Sequence, residues 1–431
     1  LSLHDALPIS VWPLTPLQEG LYFEALTASG QDVYTAQFVL EFDHRVDPDR
    51  LRSAADGLVR RHPTLRTAFV SLPSGAPAQV VAVPDAVAVP ITVVEATSRD
   101  EVAAALAADR GAPFDLAAPP LWRLLLVRRP DGTDALAVNR QFLVWDGWSN
   151  GLVVAELLAR YADPAAVPTT PDTAFTRYLG WLADRDRDAA RAAWARAMAG
   201  LDEPTLLARP GTVAGPDLPR RHRVEFDRHE TTTLRDALRT HGVTLNAVVT
   251  AALALALSRS TGRDDVTFGI TVAGRPTEVP GLDTAPGMFL ATVPARVTLD
   301  PAQTLIALAR TVQDQRWALA DHDHLGLAEI GAATGHRTLF DTLCVVQNFT
   351  DGDEGTSLGG SGVRGGDSID HTTYPVTVVV TPGSTLAVTV EHRPEMVDDA
   401  RAQRVADDVV AVLRAVTGEA GRPVVELLAD P

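Results

Sequence analysis

Apolar and mostly polar residues alternate at Tyr34, Ala36, Phe38, Leu40 and Phe42, the period-two rhythm of a strand with one face against a core. A few residues later Asp47 and Pro48 supply a helix cap and a first-turn proline. Leu51, Ala54, Ala55, Leu58 and Val59 then recur at helical spacing. These two rhythms continue along the chain. In the first half they predict helices at 16–27, 150–162 and 173–200, and strands at 121–127 and 135–143. In the second half they predict strands at 222–227, 266–272, 289–297, 342–349, 374–381 and 385–392. Helices are expected there at 229–241, 244–259, 301–320 and 397–417. The apolar run 245–257 (LNAVVTAALALAL) is too short to span a membrane and is interrupted by Asn246 and Thr250. With Thr244 as its cap and Gly262 beyond its end, it predicts a core helix.

Strands and helices are intermingled throughout, so the fold class is α+β: two-layer sandwich lobes with mixed sheets. The Pro/Gly-rich stretch 204–219 (PTLLARPGTVAGPDLP) predicts a linker between an N-terminal lobe at 11–203 and a C-terminal lobe at 220–431. The first ten residues, LSLHDALPIS, resemble the translation of a sequencing adapter and are set aside as artefact or disordered. The Gly-rich segment 351–366 lacks the lysine and the strand-to-helix setting of a phosphate loop, and reads as a flexible loop.

Composition narrows the functional classes. A net charge of −17 over 431 residues argues against nucleic-acid binding, which depends on Lys and Arg neutralising phosphates. No run reaches the roughly 18 apolar residues of a membrane span. The lone cysteine, Cys344, lies in an apolar run and excludes an internal disulfide framework, which fits a reducing, cytoplasmic setting. His322 and His324 have a spacing that suits a metal but lack further ligands, so no metal is expected. No serine sits in a Gly-x-Ser-x-Gly elbow.

The stretch NRQFLVWDGWSNG (139–151) carries the candidate chemistry. It reads as a strand, an Asp-Gly turn and a helix opened by Ser149, an arrangement that presents a side chain at the end of a strand. Gln141 and Phe142, at that end, take up no proton near neutral pH.

Seven blocks in order give this motif a family. They are WPLTPLQEGLYFE (12–24), RHPTLRTAF (61–69), QFLVWDGWS (141–149), YLGW (178–181), VAGRPTEVPG…PGMFLATVPAR (272–296), HDHLGLAEI and LFDTLCVVQNF. Together they resemble the condensation domain of non-ribosomal peptide synthetases over 12–428. The resemblance implies two chloramphenicol-acetyltransferase-like lobes in a V-shaped pseudodimer, with the motif at their junction on a tunnel. It implies amide formation between an acyl or peptidyl thioester and an aminoacyl thioester. Both would ride on phosphopantetheine arms of upstream and downstream peptidyl carrier proteins, with no cofactor bound directly. Adjacent synthetase domains, including adenylation domains, are implied partners, and GRPVVELLADP resembles the exit toward a next domain.

QFLVWDG aligns with the family's HHxxxDG block, so Gln141 and Phe142 stand where the family has histidines, and Phe142 at the one that contacts the attacking amine. Losing a positioned base forfeits on the order of 10²–10⁴ in rate, about 3–5 kcal/mol of barrier. Asp146 is implied to be structural and paired with an arginine of the fifth block, Arg296 first and Arg275 second. Gly147 is implied to permit the turn and to aim its N–H at the developing oxyanion. Arg66, Trp148, Ala291 (where the family usually has Asn), Asn348 and His371 are the expected substrate-tunnel residues, and His62 is expected to brace the core near Arg66. The resulting expectation is a degenerate, weakly active or inactive condensation domain that serves as a docking platform for carrier proteins or a tailoring enzyme. The alternatives are an active acyltransferase using a histidine-independent, substrate-assisted route, and a free-standing coenzyme A-dependent acyltransferase.

Overall fold

A computed structural model describes residues 8–27, 34–215, 217–347, 362–418 and 421–429. Asn348 and most of the Gly-rich segment 351–366 lie outside them. The chain begins β1 (Pro8–Trp12), α1 (Pro16–Thr27), β2 (Thr35–Phe42), α2 (Pro48–Arg61), β3 (Thr67–Ser71), β4 (Pro77–Ala82), β5 (Ile91–Glu95) and α3 (Arg99–Gly111). It continues β6 (Trp122–Arg128), β7 (Asp134–Gln141), α4 (Gly147–Ala162), α5 (Ala174–Ala183), α6 (Arg187–Ala197), β8 (Arg220–Glu225), α7 (Arg228–His241), α8 (Leu245–Thr261) and β9 (Asp265–Val272). It ends β10 (Ala291–Thr298), α9 (Leu305–Leu319), α10 (Leu327–Ala332), β11 (Thr342–Val346), β12 (Val363–Ile369), β13 (Val376–Thr381), β14 (Ala387–His392), α11 (Asp399–Gly418) and α12 (Val424–Ala429).

These elements form two compact units. The first comprises the residues up to Arg185, the segment Arg275–Leu290 and residues 362–372. The second comprises Asp186–Gly274, residues 291–347 and those from Thr373 onward. The division thus falls at 185/186, not in the expected linker at 204–219. Two physical reasons account for the difference. The predicted helix at 173–200 is two helices, because the Asp186 side chain accepts the Ala189 N–H at 2.9 Å and caps a fresh start for α6. And the Pro/Gly-rich stretch is no free linker: the Asp341 carboxylate accepts the N–H groups of Leu207 and Ala208 at 2.7–2.9 Å, while Arg209 bonds the carbonyls of Pro394 and Glu395. The N-terminal strand β1 starts at Pro8, so backbone pairing with β4 reaches into the ten residues expected to be artefact or disordered.

In the first unit a five-stranded sheet runs β12-β2-β7-β6-β5, and a three-stranded antiparallel sheet runs β1-β4-β3. Leu40, Leu124, Leu126, Leu136 and Val138 face the core under α2 and α4. Val39, Leu125, Val127 and Ala137 face the other way, toward Val102 of α3. The central strand β7 is therefore buried on both faces, and its polar residues must find partners inside. Asp134 accepts from Arg45 at 2.7 Å and from the Val46 N–H at 2.8 Å, and Asn139 accepts from Gln37 at 3.0 Å.

The second unit holds a mixed six-stranded sheet, β10-β9-β11-β13-β14-β8. α8, buried along Ala247 to Ser258, packs with α11 over one face, as the core-helix reading requires. Ala190, Trp194 and Met198 of α6 cover Val293 and Ile270 on the other. Among the described residues no single helix is long and apolar enough to cross a membrane.

His62 ties the end of α2 to α4. Its buried imidazole places Nε2 2.9 Å from Glu156 and Nδ1 3.3 Å from Asp172. Burial alone would lower its pKa, but the two carboxylates outweigh burial and hold it above the usual 6.5. The pair therefore stabilises the fold fully below pH 6.5, and that contribution disappears as pH rises through the raised value. Denaturant midpoints measured from pH 6 to pH 9 are expected to fall in the wild type and to fall less in His62→Gln. Equal slopes in the two proteins would contradict this.

Candidate active site

The end of β7 delivers three consecutive side chains to the site. Arg140 is fully buried, and it donates from Nη1 to the Trp145 carbonyl at 2.7 Å and from Nη2 to Asp370 at 3.2 Å. Burial pushes its pKa down, while Asp370 and Asp146 oppose the shift. Gln141 turns inward, where its Oε1 accepts the Leu143 N–H at 2.8 Å. Phe142 is half-buried, its N–H donating to the Tyr34 carbonyl at 2.9 Å. Its ring lies 4.9 Å from the Arg140 guanidinium and edge-on to Tyr34 at 6.4 Å and 84°. The Tyr34 hydroxyl in turn donates to Glu24. A cation–π contact and an edge-to-face pair, each worth about 0.5–2 kcal/mol, therefore seat the ring.

Asp146 ends the turn and opens α4. The sequence pattern points to Ser149 for that opening; the structure gives the cap to Asp146, whose Oδ1 accepts the Ser149 N–H at 2.8 Å. The same oxygen accepts the Ser149 hydroxyl at 2.7 Å and Arg275 Nη2 at 3.1 Å. Oδ2 accepts the N–H groups of Phe289 and Leu290 at 3.1 and 3.3 Å. The Ser149 hydroxyl also meets the Gly287 N–H and Arg275 Nη2, at 3.0 and 2.8 Å. Carboxylate and guanidinium are 3% and 6% exposed, so this is a buried ion pair with its remaining lone pairs satisfied. Burial lowers the Arg275 pKa, with Asp146 acting against it. Burial and the Asp146 charge together push the Tyr178 phenol well above its ordinary range.

The arginine preference is thereby corrected. Arg296 does not meet Asp146. It lies in β10 opposite Thr267 of β9, where Nε and Nη2 hold the Asp265 carboxylate at 3.0 and 2.7 Å and the Nη atoms bond the carbonyls of Ala199 and Gly200. Arg275 sits three residues past the end of β9, in an irregular run with no strand register to constrain it. Gly147 takes helical backbone as the first residue of α4, so left-handed conformation is not what selects glycine there. Among the described residues its N–H has no acceptor, as expected in the first turn of a helix.

The remaining expected residues scatter. Arg66 spends its guanidinium on the Ala82 and Val59 carbonyls at 2.8 and 2.7 Å, a brace inside the first unit. Trp148 is exposed, and its indole N–H reaches the Asp283 carbonyl at 3.1 Å. Ala291 opens β10 opposite Val272 in the second unit. His371 is buried beside Asp370, the partner of Arg140. Ser149 is the residue that sequence reasoning undervalued. Its signal is the Asp-x-x-Ser spacing, which places a hydroxyl at the position whose N–H the cap accepts.

Solved structures place this architecture in a class. The first condensation domain of the calcium-dependent antibiotic synthetase matches with a TM-score of 0.80 and 21% identity, covering 97% of this chain and 99% of that one. The X-domain from teicoplanin biosynthesis matches at 0.77 and 22%, over 96% of each chain. The fold is therefore that of condensation domains, with two chloramphenicol-acetyltransferase-like lobes. The Condensation domain family model matches residues 9–429, and the chain belongs to that family. Vanchrobactin synthetase VabF of Vibrio anguillarum is 30% identical over 91% of this chain, and tyrocidine synthase 3 of Brevibacillus parabrevis 29% over 95%. The chain spans only 14% and 6% of those two relatives' lengths.

Removing one member of a buried pair strands the other, whereas a partly exposed pair costs little. Arg275→Ala is expected to lower unfolding free energy by about 3–5 kcal/mol and Arg296→Ala by about 1 kcal/mol in chemical denaturation. The reverse ranking would contradict the assignment.

Proposed function

We propose that this chain is a condensation domain of a non-ribosomal peptide synthetase whose amide-forming site retains its frame and lacks its base. Carrier-protein thioesters are the proposed substrates, presented on phosphopantetheine arms, and adenylation domains the proposed neighbours. The observation that carries this reading is the seating of Phe142. Aminolysis of a thioester requires the attacking amine to shed a proton and the carbonyl oxygen to be stabilised as it gains charge. The ring at position 142 has no lone pair to take that proton, and its contacts with Arg140 and Tyr34 hold it in place. The second requirement is supported: the Asp146 cap leaves the Gly147 N–H at the positive end of α4, suited to a developing oxyanion. We assign Gly147 that role, Asp146 and Arg275 the holding of the frame, and Phe142 the vacated base position. On this reading the domain condenses slowly and serves chiefly to dock carrier proteins or an enzyme acting on the bound chain.

The intact α4 terminus also favours a second reading, in which the acceptor amine arrives neutral and needs no base. The two differ in rate. Transfer between two loaded carrier proteins is expected to run about 10²–10⁴ slower than in a histidine-bearing relative, and Phe142→His is expected to raise it. An imidazole there would lie near the Arg140 charge, which disfavours protonation and keeps it able to accept. Wild-type turnover at ordinary rates, with no gain in Phe142→His, would overturn the first reading in favour of the second. On the first reading the single-turnover rate of the wild type is expected to climb with pH toward the acceptor amine's own pKa, near about 8. A flat profile from pH 6 to pH 8 would contradict that reading and favour the second, in which the amine arrives neutral.

A further inference from the structure

In the second unit, β8, β14 and the first turn of α11 gather three ligand-type side chains. In the antiparallel pairing His222 lies opposite Val390 and His392 opposite Arg220, so the two imidazoles are diagonal neighbours on one face of the sheet. Their rings lie 5.2 Å apart and 11° from parallel. His392 is 0% exposed. Asp399 is the first residue of α11, but the side chain that takes up the helix's free N–H is that of Asp398, which accepts from Arg401 at 2.9 Å. The Asp399 carboxylate is therefore not consumed as a cap.

Nε2 of His222 and Nε2 of His392 each stand 3.4 Å from the same oxygen, Asp399 Oδ1. Neither makes a hydrogen bond, and His392 Nδ1 makes none either. A buried nitrogen without a hydrogen bond is unfavourable and asks for a partner. A tetrahedral ion with arms of about 2.0–2.2 Å separates its ligand atoms by about 3.3–3.6 Å. Both nitrogen–oxygen distances, 3.4 Å, already match that spacing, and all three ligand atoms lie within 4.8 Å of one another.

We infer that His222 Nε2, His392 Nε2 and Asp399 Oδ1 form a divalent-cation site of the zinc class. Two imidazoles and one carboxylate are the donor set zinc takes, whereas magnesium and calcium prefer all-oxygen shells. A fourth position is left for water. β8 is the edge strand of the six-stranded sheet, so the ion would clip that edge and its neighbour to the start of α11. Arg220 Nη1, 3.7 Å from the same Asp399 oxygen, competes with the cation and sets a limit on its affinity.

The full chain, freed of any affinity tag and stripped with chelator, is titrated with Zn²⁺ by calorimetry and with Co²⁺ by visible absorption, and melted with and without Zn²⁺. One equivalent, Co²⁺ bands of a four-coordinate site and a zinc-dependent rise in Tm are expected. Because His392→Ala empties a buried position, the more accessible His222→Ala and Asp399→Asn carry the test. Each should weaken binding by about tenfold or more, while Arg220→Ala should tighten it. Absence of heat and of Co²⁺ bands in the wild type, or binding unchanged in both variants, would overturn the site.

Discussion

A carboxylate taken out of water must be met by donors on every side or it unfolds what surrounds it, and Asp146 meets that condition in full. Two N–H groups from the segment after Arg275, the Ser149 N–H and hydroxyl, and one guanidinium nitrogen converge on its two oxygens. Each contact also does a second job. The Ser149 bond caps α4, the Phe289 and Leu290 bonds fix the segment that enters β10, and the Arg275 bond balances the charge. Removing Arg275 leaves an uncompensated buried ion, and removing a neutral donor leaves a buried oxygen under-satisfied, which is why the frame behaves as a unit.

That frame and the Phe142 ring have different hydrogen-bond and ring partners, although the Asp146 charge also reaches Arg140 against the ring. Phe142 takes no part in the Asp146 network; it rests on Arg140 and Tyr34 one strand-end earlier. The phenyl ring at position 142 gains from the buried guanidinium and a neighbouring aromatic edge. The helix terminus and the ring are thus held by nearby residues with different partners.

Much of this was legible in the sequence. Period-two and helical spacing located the strands and helices that build both sheets, and the ordered blocks led to the family. Pairings set by tertiary register were not legible. The block offers two arginines and sequence reasoning prefers Arg296 to Arg275, but β10's pairing with β9 commits Arg296 to Asp265. The 204–219 stretch has a linker's composition, yet its backbone donors are claimed by Asp341, a residue more than a hundred positions away. The break between α5 and α6 was written in Asp186, a cap hidden within a charged run that otherwise continues the helical pattern. His222 and His392 are 170 positions apart, and only strand pairing brings them together.

Everything at the site rests on the Asp146 carboxylate locking its donors while leaving the first N–H of α4 open. Amide hydrogen exchange resolved to single residues tests this directly. The Ser149, Phe289 and Leu290 amides are expected to exchange slowly, on the scale of core β7, and the Gly147 amide orders of magnitude faster. Equal protection of Gly147 and Ser149, or rapid exchange at Phe289 and Leu290, would contradict it.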